Sequence, residues 1–129
     1  MTSLPIVWQR LVNADGETCE RCRATRLEVE RALTVLEDAL PHLGIEPELE
    51  FRELDQAAFD KEPGQSNRVW IAGKALEDWL QAEVGSTDCP SCGDAACRTV
   101  EVGDSTFATI PERLILKAAL LASAELVDA

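Results

Sequence analysis

Leu4-Pro5-Ile6-Val7-Trp8-Gln9-Arg10-Leu11-Val12, then Asn13-Ala14-Asp15-Gly16, then Thr18-Cys19-Glu20-Arg21-Cys22 form the opening stretch on which the fold turns. Ile6-Val7-Trp8 and Leu11-Val12 are rich in β-branched residues and predict a strand buried on both faces of a sheet. Asn13 to Gly16 is a turn cluster. Beyond Cys22, the residues Val29, Leu33, Leu36, Leu40 and Leu43 recur at steps of four, three, four and three. That spacing draws one apolar stripe down a long helix, and Pro41 and Gly44 mark its end. Cys19 and Cys22 therefore stand at a strand–helix junction.

Two thiols separated by two residues can close a small disulfide ring or grip a soft metal, and their placement bears on which. Cys19 falls at the predicted helix start, where unpaired backbone N–H groups and the helix dipole favour a thiolate. Cys22 lies one turn further in. An exposed, acidic nucleophile backed by a shielded thiol is the arrangement that thiol–disulfide exchange needs. Arg21, Arg23 and Arg26 favour the thiolate, and Glu17 and Glu20 oppose it. The plainest alternative is that both cysteines are small hydrophobes with no chemistry.

Outward from this junction, Glu46 to Leu54 predicts a second strand with Leu49 and Phe51 on one face. Asp55 is placed to cap a short helix through Phe59. Val69-Trp70-Ile71 predicts a compact strand, Ala72-Gly73 a turn, and Leu76 to Val84 a short helix. The segment from Gly85 to Cys97 has no periodicity and predicts a polar, cysteine-rich loop. Thr99 to Val102 and Ser105 to Ile110 flank Gly103-Asp104, a hairpin signal. Pro111 opens a final helix that is apolar around most of its circumference, which suits burial against a sheet or a partner chain and is compatible with a homodimer. Trp8, Trp70 and Trp79 are expected in the core.

Cys89-Pro90-Ser91-Cys92-Gly93 lies in the predicted loop and is similar to a zinc knuckle. Cys97 supplies a third thiol, and a structural zinc site wants four ligands. Asp88, Asp94, His42 or a thiol of the first pair are candidates for the fourth. A disulfide between two of the three is the competing use. His42, beside Pro41 at a helix end, also suits a simple C-terminal cap. If the strand entered at Val69 begins beside the first pair, Cys89, Cys92 and Cys97 return to the same sheet end as Cys19.

The order of strand, C-x-x-C helix, strand, helix, strand, turn and terminal helix resembles that of thioredoxins and glutaredoxins. The resemblance spans about Pro5 to Leu80 and resumes at the terminal helix. The whole chain also resembles a small bacterial family of unassigned function grouped with thioredoxin-like folds, through Gly16-Glu17-Thr18-Cys19, Leu76-Glu77-Asp78-Trp79-Leu80 and Cys97-Arg98-Thr99-Val100-Glu101-Val102. What it implies is an α/β, thioredoxin-like central sheet flanked by helices, one domain over residues 1–129, with an insertion over about 85–110. It further implies Cys19 as the attacking thiol and Cys22 as the resolving one. Thioredoxins place a cis-proline before the strand that faces the disulfide; here Ser66-Asn67-Arg68-Val69 holds none. Asn67 is its expected partial substitute, with metal capture by the pair left open and Asn67→Pro expected to favour exchange over metal.

Composition narrows the partners. Twelve Lys and Arg against 24 Asp and Glu leave a net charge of −12, which would repel nucleic acid and anionic lipid. The apolar content of 46% with 28% charged residues suits a globular chain. No basic, apolar export signal opens the sequence and no apolar stretch is long enough for a span, so cytoplasm is the expected location. The expected function is thiol–disulfide exchange or thiol transfer with a thiol- or disulfide-containing protein or small thiol. The alternative is a protein that binds zinc or another soft metal without turnover.

Overall fold

The computed structural model describes residues 2–12, 20–89 and 95–127. Strand β1 (Thr2–Leu11) lies inside a four-stranded mixed sheet of order β2-β1-β3-β4. It runs parallel to β2 (Ile45–Leu54), in register from Thr2 against Ile45 to Leu11 against Leu54. A parallel neighbour requires a crossover, and the 20-residue helix α1 (Glu20–Ala39) supplies it. A 3-10 turn over Leu40–Leu43 follows, closed by Gly44 in the left-handed region with φ 74°. On its other side β1 pairs antiparallel with β3 (Arg68–Ile71), which turns back into the short β4 (Lys74–Ala75).

Alternation along β1 decides where the core lies. Leu4, Ile6 and Trp8 are buried, while Pro5 between them is exposed and Val7 half-buried. The expectation of a strand buried on both faces is thus corrected, because one face alone carries the packing. Opposite Ile6 and Trp8 stand Ile71 and Val69 of β3. They share one core with Val29, Ala32 and Leu36 of α1, with Leu40 of the 3-10 turn, and with Leu114, Ile115, Ala118 and Ala122 of the last helix, α4 (Glu112–Val127). Each large apolar side chain so buried contributes roughly 1.5–3 kcal/mol. On α1 the buried row passes through Ala32 rather than Leu33. It stops at Leu40, because the 3-10 turn leaves Leu43 half in solvent.

The cap at Asp55 is as expected: its carboxylate accepts from the Ala58 N–H at 2.8 Å and opens α2 (Gln56–Lys61). Helix α3 (Leu76–Leu80) is shorter than its predicted reach to Val84, since Gln81 takes a left-handed backbone with φ 54° and ends it. The chain then enters β5 (Glu83–Cys89), β6 (Ala95–Val102) and β7 (Ser105–Phe107), a second, antiparallel sheet in that order. The predicted loop from Gly85 is therefore replaced by strand at both of its ends. Among its described side chains Val84, Ser86 and Thr87 are exposed, so β5 shows no apolar alternation and forms through backbone pairing with β6. Among the described residues the chain is a mixed α/β structure of two sheets and four helices.

Candidate functional site

Three segments meet at the C-terminal end of β1: that strand end, the first turn of α1, and the loop entering β3. Cys22, the third residue of α1, is 1% exposed. Its Sγ lies 3.4 Å from the Ser66 hydroxyl. The same hydroxyl oxygen accepts the Leu11 N–H at 3.2 Å, which leaves its proton available to sulfur. The Ser66 loop is tied to β1 by side chains as well. Gln9 Nε2 donates to the Gln65 carbonyl at 2.7 Å, and Trp8 Nε1 donates to Asn67 Oδ1 at 3.1 Å. Asn67 Nδ2 in turn donates to the Ala108 carbonyl at 3.1 Å. In open α/β sheets the crevice outside the carboxyl ends of the strands is the usual place for chemistry, and Cys22 lies there.

One turn along α1, Thr25 Oγ1 accepts from Ile110 N–H at 3.2 Å, and Glu28 Oε1 accepts from Glu112 N–H at 3.3 Å. The thiol helix is thereby fastened to the segment that opens α4. Arg10, at the end of β1, lies over the rings of Trp8 and Phe51 at 5.1 and 5.0 Å, and Arg26 of α1 approaches the same Phe51 ring at 5.1 Å.

A buried charge cluster stands behind the Ser66 loop. Arg98 of β6 donates through Nη1 to the Gly64 carbonyl at 3.1 Å and through Nη2 to the Glu77 carboxylate. Arg68 approaches the same carboxylate at 3.6 Å, and its Nη1 donates to Gln65 Oε1 at 3.1 Å. Burial pulls the Arg98 guanidinium below its ordinary range, Glu77 holds it up, and Arg68 adds to the fall. A guanidinium stays charged through such a shift. Arg98 thus clamps the second sheet to the turn that carries Ser66.

The predicted thiols fall as follows. Cys22 is in the junction, as expected for a shielded thiol. Cys19 and Cys92, with Asp94, lie outside the described residues. Cys89 ends β5 opposite Ala95, and Cys97 pairs in register with Thr87, which makes the two cysteines diagonal neighbours on adjoining strands. Cys97 directly precedes Arg98, the residue that reaches Gly64. His42 is exposed on the 3-10 turn at the far end of α1, about 30 Å along the helix from Cys22. That placement removes it as a ligand shared with the Cys22 end. Trp8 is fully buried and Trp79, partly buried, packs against the core, whereas Trp70 faces away from it with Arg68 stacked at 4.5 Å. Ser66, Glu77 and Arg98 were given no role by the sequence, although Glu77 and Arg98 lie in stretches that carry the family resemblance and Ser66 in the stretch that corresponds to the cis-proline segment facing the disulfide.

No described helix is long and apolar enough to cross a membrane. No solved structure matches the chain. An uncharacterized protein of the archaeon Archaeoglobus fulgidus is 45% identical over 100 residues, covering 77% of this chain and 72% of that one. The family model described as a domain of unknown function, DUF2703, matches residues 4–119. That span runs from β1 into α4 and includes all five cysteines. The chain therefore belongs to the DUF2703 family.

Proposed function

We propose that this protein carries out thiol–disulfide exchange through Cys19 and Cys22, on a thioredoxin-like frame. The observation that carries the reading is Cys22 itself: a buried thiol on the first turn of α1, within hydrogen-bond range of the Ser66 hydroxyl. The succession of strand, thiol-bearing helix, parallel strand and returning antiparallel strands supports the frame. In the proposed reaction the Cys19 thiolate attacks one sulfur of a partner disulfide, and the other sulfur leaves as a thiolate. Cys22, deprotonated, then attacks the Cys19 sulfur and expels the second partner thiolate. The pair ends as a disulfide, and its two electrons reside on the partner. Ser66 serves the second step by donating its proton toward the Cys22 sulfur. A reducing compartment such as the cytoplasm suits a dithiol that must be restored by a small thiol.

The test uses oxidised glutathione as the disulfide. Cys19→Ser should abolish exchange, and Cys22→Ser should accumulate a mixed disulfide on Cys19 visible by intact-mass spectrometry. Wild-type exchange in Cys19→Ser, or no adduct in Cys22→Ser, overturns the proposal. The diagonal register of Cys89 and Cys97 favours zinc capture by the second cluster as the other reading. Zinc retained by reduced protein and lost in Cys97→Ser would support it.

A further inference from the structure

Helix α4 spends only one side on the core. Leu114, Ile115, Ala118, Ala119, Ala122 and Ser123 are buried. Its other side shows a second row, Arg113, Lys117, Leu120, Ala124 and Val127, at steps of four, three, four and three, the spacing of a helix–helix seam. Leu120, Leu121 and Val127 are 52%, 41% and 48% exposed. Elsewhere the exposed large apolar residues are scattered along the chain, which is ordinary for a protein surface. Here they are contiguous on one helix.

We propose that this face of α4 pairs two copies of the chain in an antiparallel, two-fold dimer. Charge chooses the occupant and its direction. Acidic residues outnumber basic ones two to one in the chain, yet the seam's own charges, Arg113 and Lys117, are both positive and lie in its N-terminal half. Glu125 flanks the C-terminal half, on the side of Leu121. Lys117 is four residues before Leu121 and Glu125 four after it. An antiparallel crossing centred there sets Lys117 of each copy beside Glu125 of the other, twice, with Leu120 and Leu121 between. A parallel crossing would set Lys117 against Lys117 instead. The two-fold contact closes on itself, so it yields a dimer and not a filament.

Sedimentation equilibrium of the full chain, from micromolar to millimolar concentration, tests this. The wild type should approach twice the 14.1 kDa chain mass. Leu120→Asp should weaken association by about tenfold or more, with unchanged circular dichroism. Lys117→Glu and Glu125→Lys should each weaken it, and the double exchange should restore it, a rescue that only self-pairing predicts. A wild type that stays monomeric throughout overturns the proposal, as does a double exchange without rescue. A monomer that instead cosediments with anionic phosphatidylserine vesicles also overturns it and assigns the face to lipid.

Discussion

At position 67 the backbone takes φ 59°, a conformation that asparagine tolerates and most residues do not. The side chain is 6% exposed and bridges the fully buried Trp8 indole and the Ala108 carbonyl. Asn67→Ala should cost about 3 kcal/mol, since it strands the Trp8 N–H and forces alanine into a left-handed backbone. Asn67→Gly should lose about 1 kcal/mol less, because glycine accepts that backbone freely. Urea unfolding of the two variants checks the order, and equal losses would remove backbone strain from the account. Asn67→Pro, expected from the sequence to favour exchange over metal, cannot be accommodated at φ 59°, since the proline ring holds φ near −65°. The residue type was legible in the chain. Its left-handed φ was set by partners 59 and 41 residues away.

Among the elements, the second sheet was the least legible. Gly85-Ser86-Thr87-Asp88 has the composition of a loop, yet it forms an edge strand in register with Arg98, Thr99 and the residues before them. A Cβ at Gly85 would lie 2.8 Å from Glu101 Oε1 and 2.9 Å from Thr99 Oγ1, so the glycine marks close packing across the strand pair and not a turn. This sheet is anchored by the Arg98–Glu77 pair, whose side chains are 9% and 11% exposed. Glu77→Leu should destabilise the fold by about 3–5 kcal/mol, because it leaves Arg98 and Arg68 buried together without their shared carboxylate. Arg98→Leu should cost less, since Arg68 still faces Glu77. Thermal unfolding of both variants reads the difference, and a cheaper Glu77→Leu would show that the carboxylate does not organise the cluster.

For the whole molecule the dominant long-range term is the net charge of −12. Like charge distributed over so small a chain opposes compaction, and salt screens it over a Debye length of about 10 Å at 0.1 M. Raising sodium chloride from low millimolar to about 0.5 M should lift the melting midpoint by about 5 °C. A midpoint that falls with salt would mean that attractive pairs such as Arg26–Glu30 and Arg31–Glu28 outweigh the repulsion. The sequence by itself determined the strand–helix opening, the second strand, the Asp55 cap, the Gly44 stop and the terminal helix. Each of these is written in residues within a few positions of one another, through period, capping and backbone freedom. Only the tertiary structure decided that β1 buries one face, that Ser66 meets Cys22, and that Arg98 ties the cysteine-bearing strands to the Ser66 turn. Those contacts join residues 34 to 55 positions apart where they are hydrogen bonds. Polar side chains of this kind leave no periodic trace, because a partner brought by the fold, and not a neighbour in the chain, satisfies each of them.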